Sequence, residues 1–167
     1  MAYREDRTME KLLAASLGLV AVLFAMGWAT RERPADRPYV AILGGGFIYN
    51  YRVADVFYGF SARVLKPVPV GSILTATFED PGGGPPITVE TRVNARTTKY
   101  SLRTPTVRGV EAHKPYRVDI ALYDWRRQEK LWSETKTYAS RISDSIVPAQ
   151  PLTIGPGYTP NPALTKG

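Results

Sequence analysis

The chain is 167 residues long, with 22 basic and 15 acidic side chains, a net charge of +7, one histidine and no cysteine. The missing cysteine excludes disulfides, thiolate metal sites and cysteine nucleophiles, and the single histidine excludes a two-histidine metal site. Between an apolar N-terminal run and a proline-rich C-terminus lie about 110 residues, enough for one domain with its own core.

Residues 1–11 (MAYREDRTMEK) hold three basic and three acidic side chains and read as a short cytoplasmic tail. Residues 12–29 (LLAASLGLVAVLFAMGWA) contain no charge and no proline. As a helix this run reaches about 27 Å, close to the hydrocarbon thickness of a bilayer. Gly27 and Ala29 offer small residues for signal cleavage. The eighteen-residue run is longer than a signal core and the start is not plainly basic, so an uncleaved transmembrane anchor is expected. At about 100° per residue, Ala14, Gly18, Ala21 and Ala25 form a stripe of small side chains opposite Leu12, Leu19, Leu23 and Met26. Such a stripe admits a second helix closely, making these four the expected helix-packing residues. Arg4, Arg7 and Lys11 before the span balance Arg31, Arg33 and Arg37 after it, so the basic-residue rule does not choose an orientation. A short N-terminal tail before a large domain favours an inner-membrane, single-pass topology with the N-terminus cytoplasmic and the domain periplasmic.

Residues 30–38 (TRERPADRP) read as a charged stalk, with Pro34 and Pro38 opposing continuation of the helix. A short apolar run over 39–43, read as a strand or strand-like docking segment, is broken by Gly44, Gly45 and Gly46. The triplet lacks the Lys–Ser/Thr ending of a phosphate loop and reads as a flexible turn, making 30–46 stalk and linker.

From Phe47 the pattern alternates with period two, the sign of half-buried strands. Strands are expected over 47–53, 56–65, 72–79, 87–94, 99–103, 106–110, 116–123 and 131–138. The joints at 66–69, at 80–86 (DPGGGPP), at 111–115 and at 124–130 carry turn chemistry. The stretch from Tyr100 through Val107–Val110 to Tyr116, Val118 and Ile120 resembles the later strands of an immunoglobulin-like or fibronectin-type-III-like sandwich. Tyr116 sits where such folds tie a loop to the sheet with a tyrosine. The resemblance concerns fold alone and implies no activity. The expected fold is therefore a transmembrane α-helix followed by an all-β domain over 47–145. That domain is read as an antiparallel β-sandwich, immunoglobulin/fibronectin-III-like at fold level. Residues 146–167 hold five prolines and one charge, Lys166. They read as an extended tail whose Leu152, Ile154 and Tyr158 are expected docking residues.

Chemistry-bearing residues are sparse. His113 lies in a loop with no nucleophile motif beside it. Glu79 and Asp80 precede a glycine-proline loop, and a calcium site needs more oxygen ligands than they supply. Trp125, Arg126 and Arg127 at a hairpin tip are the residue types most enriched at binding hot spots, and are expected to contact a partner or lipid headgroups. Basic residues are scattered, without a nucleic-acid motif. The sequence implies no catalytic residue, cofactor, metal, nucleic-acid partner or small-molecule substrate. It points to a non-enzymatic accessory or assembly subunit of a membrane complex, with the membrane and other membrane-protein subunits as partners. A stand-alone anchored binding module and an anchored enzyme of unrecognised type are the alternatives.

Overall fold

A computed structural model describes residues 3–31, 37–155 and 157–164, and the chain divides into two compact units, the second beginning at Pro38. Residues 32–36, with Pro34 of the expected stalk, lie outside the described residues, as does Lys166.

The first unit holds helix α1 (Tyr3–Ala29). Its Met9–Ala29 stretch is long and apolar enough to cross a membrane, with no part of it buried within the chain. Twenty-one residues at the helical rise span about 31 Å. The helix begins well before residue 12, because residues 3–11 contain neither glycine nor proline to stop it. The polar segment from Tyr3 to Lys11 thus forms the first turns of the helix. The Ser16 hydroxyl donates to the Leu12 carbonyl at 2.8 Å, so the apolar stretch carries no unmatched hydroxyl there.

The second unit is built from strands β1 (Val40–Asn50), β2 (Asp55–Val64), β3 (Ile73–Phe78), β4 (Ile87–Arg92), β5 (Lys99–Arg103), β6 (Pro115–Tyr123) and β7 (Lys130–Ala139). One sheet has the order β1-β2-β5 and the other β4-β3-β6-β7. Every strand pairing is antiparallel. A separate pair, β8 (Thr153–Ile154) with β9 (Thr159–Pro160), lies in the C-terminal segment. The period-two pattern decides which side chains face inward. Val56, Tyr58, Phe60 and Ala62 of β2 join one core with Leu74, Ala76 and Phe78 of β3 and Tyr116, Val118, Ile120 and Leu122 of β6. Tyr58 stands at its centre, stacked on Phe47 with ring centroids 4.5 Å apart and edge-on to Phe78 at 5.2 Å.

Two tyrosines fasten loops to this frame. The Tyr116 hydroxyl accepts the Glu111 N–H at 2.8 Å and donates to the Gly109 carbonyl at 3.3 Å. At the other end the Tyr100 hydroxyl accepts the Asn94 N–H and donates to the Thr97 carbonyl, both at 2.9 Å.

Three expectations need correction. Gly44, Gly45 and Gly46 are not a linker: β1 runs through them, with a bulge between Ile42 and Gly44. Glycine is required where another group occupies the side-chain space. A Cβ on Gly45 would lie 2.5 Å from the Gly59 carbonyl oxygen and 2.6 Å from the Tyr138 ring. The domain therefore starts at β1, ahead of the expected boundary at 47. Residues 106–110 form no strand; Val107 and Val110 are buried as loop anchors. The described part of the C-terminal segment, residues 146–155 and 157–164, is not simply extended. Val147 joins the core, and the segment turns back on itself at Gly155 and Gly157, both with positive φ.

The edges of the second sheet are also managed. Edge strand β7 places Glu134 and Lys136 on the same face as Trp132 and Tyr138. Their side chains pair with each other at 2.5 Å. Inward charges on an edge strand discourage pairing with another chain.

Candidate functional site

The acidic pair before the glycine-proline loop is consumed by backbone. Asp80 accepts the N–H groups of Gly82 and Gly84 at 3.0 and 3.2 Å, an Asx-type turn that shapes the loop. Glu79 accepts the Arg117 N–H at 2.9 Å through its carboxylate, and its carbonyl receives the Tyr58 hydroxyl. His113 adopts a left-handed φ of 64° and donates its backbone N–H to the Ser140 carbonyl at 2.6 Å. Among the described residues no group of three or more histidine, aspartate or glutamate side chains is placed to hold a metal.

The late hairpin is organised by Asp124. Its carboxylate accepts the N–H of Glu129 at 2.9 Å and of Arg126 at 3.2 Å, and these bonds hold it below the usual carboxylate range. This closes the tip and presents Trp125 to solvent. The Arg126 guanidinium stacks over the Trp125 ring at 4.3 Å. Arg127, at a φ of 60°, turns back across the sheet and pairs with Glu90 of β4. The three residues are thus split: Trp125 and Arg126 form one exposed unit, and Arg127 is a brace.

The C-terminal segment folds onto the turn between β1 and β2. The Leu152 N–H donates to the Arg52 carbonyl at 2.8 Å, and the Arg52 guanidinium lies 4.0 Å from the Tyr158 ring centre. Asn161 closes the small hairpin, its side-chain amide donating to the Pro151 carbonyl at 2.8 Å. Leu152, Ile154 and Tyr158 are nonetheless exposed, and so are Tyr51, Val53 and Ile146. They make an ordered apolar surface. On α1, Ala14, Gly18, Ala21 and Ala25 are all exposed, and a Cβ on Gly18 would meet nothing within 4 Å.

Sequence reasoning missed two features. Arg108 reaches from its loop to the Ala54 carbonyl at 2.7 Å and the Pro148 carbonyl at 3.3 Å, joining two segments distant in sequence. No local pattern marks a residue whose role needs two remote partners. The second is a shallow depression of about 530 Å³ on the outer face of the β1-β2-β5 sheet, floored by Gly44, Gly46, Gly59 and Ser61 and walled by Phe57 and Arg103. The Arg103 guanidinium lies 4.4 Å from the Phe57 ring centre. The small residues on outward positions were its only sequence signal. On the outer face of the other sheet, the Arg117 guanidinium and the Thr135 hydroxyl both donate to Asp119, and they hold its carboxyl below the usual range.

No family model matches the chain, and no curated protein matches it. Among solved structures it is similar to a calcium-binding mutant of Bacteroides uniformis β-glucuronidase 2. There the identity is 16% and the TM-score 0.37, over 61% of this chain and 13% of that one. It is also similar to OgpA from Akkermansia muciniphila at 11% identity and a TM-score of 0.38, over 68% of this chain and 31% of that one. The chain spans less than a third of either protein. Likeness at this level carries no argument about activity.

Proposed function

We propose that this chain is a non-enzymatic, single-pass accessory or assembly subunit of a larger membrane complex. It docks through its helix, its β-domain and its C-terminal segment. The observation that carries the reading is the ordered apolar surface of that segment. Backbone bonds to Arg52 and within the β8–β9 pair hold it in place, yet Leu152, Ile154 and Tyr158 face outward. Apolar side chains held outward by backbone bonds support a surface that a partner covers. The Ala14–Gly18–Ala21–Ala25 stripe offers a second contact within the bilayer. This reading sets the domain in the periplasm and the N-terminus in the cytoplasm, the orientation that the reporter fusion below tests.

The sandwich itself is inferred to be of the immunoglobulin/fibronectin-III type. The strand orders β1-β2-β5 and β4-β3-β6-β7 support this, as does the Tyr116 tie to the loop before β6. A second reading, an anchored module binding an envelope ligand or peptide, is favoured by the glycine-floored depression on the first sheet.

Extraction in mild detergent followed by native-size analysis separates the two. The subunit reading expects migration well above the monomer's 18.5 kDa, with partners identified by mass spectrometry. Migration as a lone monomer overturns it. A reporter enzyme active only in the periplasm, fused after Gly167, tests the topology. Its silence, with activity from a cytoplasm-dependent reporter, overturns the orientation.

A further inference from the structure

We infer that the end of the β-domain at which the chain arrives from α1 is a lipid-facing surface, built to rest on a bilayer that carries anionic headgroups. The inference rests on α1 spanning the membrane, and it concerns a surface other than the C-terminal one on which the subunit reading depends.

Strand register identifies this end. Val40, the first residue of β1, pairs with Val64, the last of β2. Arg63 pairs with Lys99 at the start of β5. Ile73 at the start of β3 lies between Arg92, where β4 ends, and Tyr123, where β6 ends. The loops 65–72, 93–98 and 124–129 therefore converge where the chain enters at Tyr39. Ten residues, 30–39, join the end of α1 to this point, and at full extension they reach no more than about 36 Å. This is therefore the end of the domain to which the tether is attached.

The surface has the composition such a position demands. Val70 is 68% exposed and Trp125 54%, and Leu65 is exposed beside them. A Cβ on Gly71 would lie 3.5 Å from the Cβ of Trp125, so the Val70 and Trp125 loops touch. Leu65, Pro67, Val68, Val70, Val93 and Ala95 line an apolar hollow of about 330 Å³ between two of the loops. Cations flank these apolar groups. Arg126 stacks on Trp125 at 4.3 Å, and Lys66 lies over the Tyr39 ring at 4.0 Å. Aromatic rings with a cationic neighbour are suited to the headgroup layer, where one part meets acyl chain and the other phosphate.

The charge balance agrees. The three loops carry Lys66, Arg96, Arg126 and Arg127 against Asp124 and Glu129, and Arg63, Arg92, Lys99 and Lys130 stand at the adjoining strand ends. Asp124 is committed to its own turn, and Arg127 is matched by Glu90. The loops at the opposite end balance, with Arg52, Arg108, Lys114 and Arg141 against Glu79, Asp80, Glu111 and Asp144. The basic excess is on the side of the tether. The surface is also rigid: the Tyr100 hydroxyl pins the 93–98 loop, the Leu65 N–H donates to the Tyr39 carbonyl at 2.9 Å, and Gly71 donates to Val93 at 2.9 Å. Little order has to be gained on contact, so each basic group near the surface adds its attraction without an ordering cost.

The absence of cysteine makes the test direct. Full-length chain bearing Val70→Cys or Gln128→Cys, labelled with an environment-sensitive fluorophore, is reconstituted in liposomes of phosphatidylcholine alone or with phosphatidylglycerol added. Gln150→Cys on the C-terminal segment is the control. Resistance to alkaline extraction first establishes that the helix is inserted. The expected result is blue-shifted emission and quenching by lipid-borne quenchers at 70 and 128, stronger with phosphatidylglycerol, while 150 stays water-exposed. Arg126→Gln in the Gln128→Cys background should lower the ratio of shielded to exposed label about fivefold. Labels at 70 and 128 as exposed as at 150 in both liposomes overturn the inference. So does shielding that ignores the anionic lipid, or shielding found only in native membranes, which assigns the surface to a protein partner. Purified chain in liposomes contains no partner, so the result is independent of whether the subunit reading stands.

Discussion

Tyr116 holds two backbone groups with one hydroxyl, accepting from Glu111 and donating to Gly109. Tyr116→Phe keeps the buried ring and removes both bonds, leaving the Glu111 N–H to find water or go without. The expected cost is about 1–3 kcal/mol, read as a lower urea midpoint at unchanged slope. Tyr58 behaves differently because its surroundings oppose ionisation. Burial, followed by the nearby Glu79 and Asp80 carboxylates, raises the phenol above its ordinary 10.0, and burial raises Tyr49 and Tyr138 in the same direction. In the unfolded chain these phenols ionise near their ordinary value while the folded ones stay protonated. Their contribution is complete below that value and is lost as pH rises beyond it. Tyr58→Phe should therefore flatten the decline in stability between about pH 10 and 12. Denaturant midpoints measured across that range check it, and an unchanged slope refutes it. Tyr116 was legible in the sequence because it opens a regular alternation after a polar loop. Arg108 was not, since its two carbonyl acceptors lie 54 and 40 positions away.

At the scale of the element, β1 is the strand that local pattern misreads. Three consecutive glycines are turn-formers by propensity, and only the neighbours of Gly45 explain their place in a strand. A Cβ there would overlap the Gly59 carbonyl and the Tyr138 ring, whereas one on Gly46 would meet nothing within 4 Å. Gly45→Ala should therefore destabilise the domain by about 1–3 kcal/mol, with Gly46→Ala staying within about 0.5 kcal/mol of the parent. Thermal unfolding of the pair measures the difference, and equal melting temperatures would remove this account of the strand. The strands β2, β3 and β6 were legible because each alternates through several apolar positions facing one core. Residues 106–110 alternate as well, but Val107 and Val110 turn inward from a loop. A two-residue anchor cannot be told from a short strand until the sheet beside it is known.

At the scale of the whole molecule, the apolar run, the all-β domain and its antiparallel pairing follow from composition and period. The return of the C-terminal segment onto Arg52 does not, because prolines favour extension and the contact depends on where a distant turn lies. The helix stripe gives the prediction that belongs to this scale. Gly18→Leu should reduce co-migration with partners in native-size analysis while leaving resistance to alkaline extraction unchanged. Undiminished co-migration would make the helix a tether only. The pairing of β3 with β6 has a further consequence, for the order of events in biogenesis. β1 and β2 close over a four-residue turn, residues 51–54, as soon as both are made. β3 acquires its partner β6 only when Tyr123, fifty positions after Ile73, is available. At ordinary synthesis rates that interval is about 3–10 s. For that time the inner faces of the first hairpin, with Tyr58 and Phe60, have at most the β3–β4 pair to oppose them, without the central strand β6. The nascent chain is then a client for whatever shields apolar strands, and the late strands decide when that dependence ends.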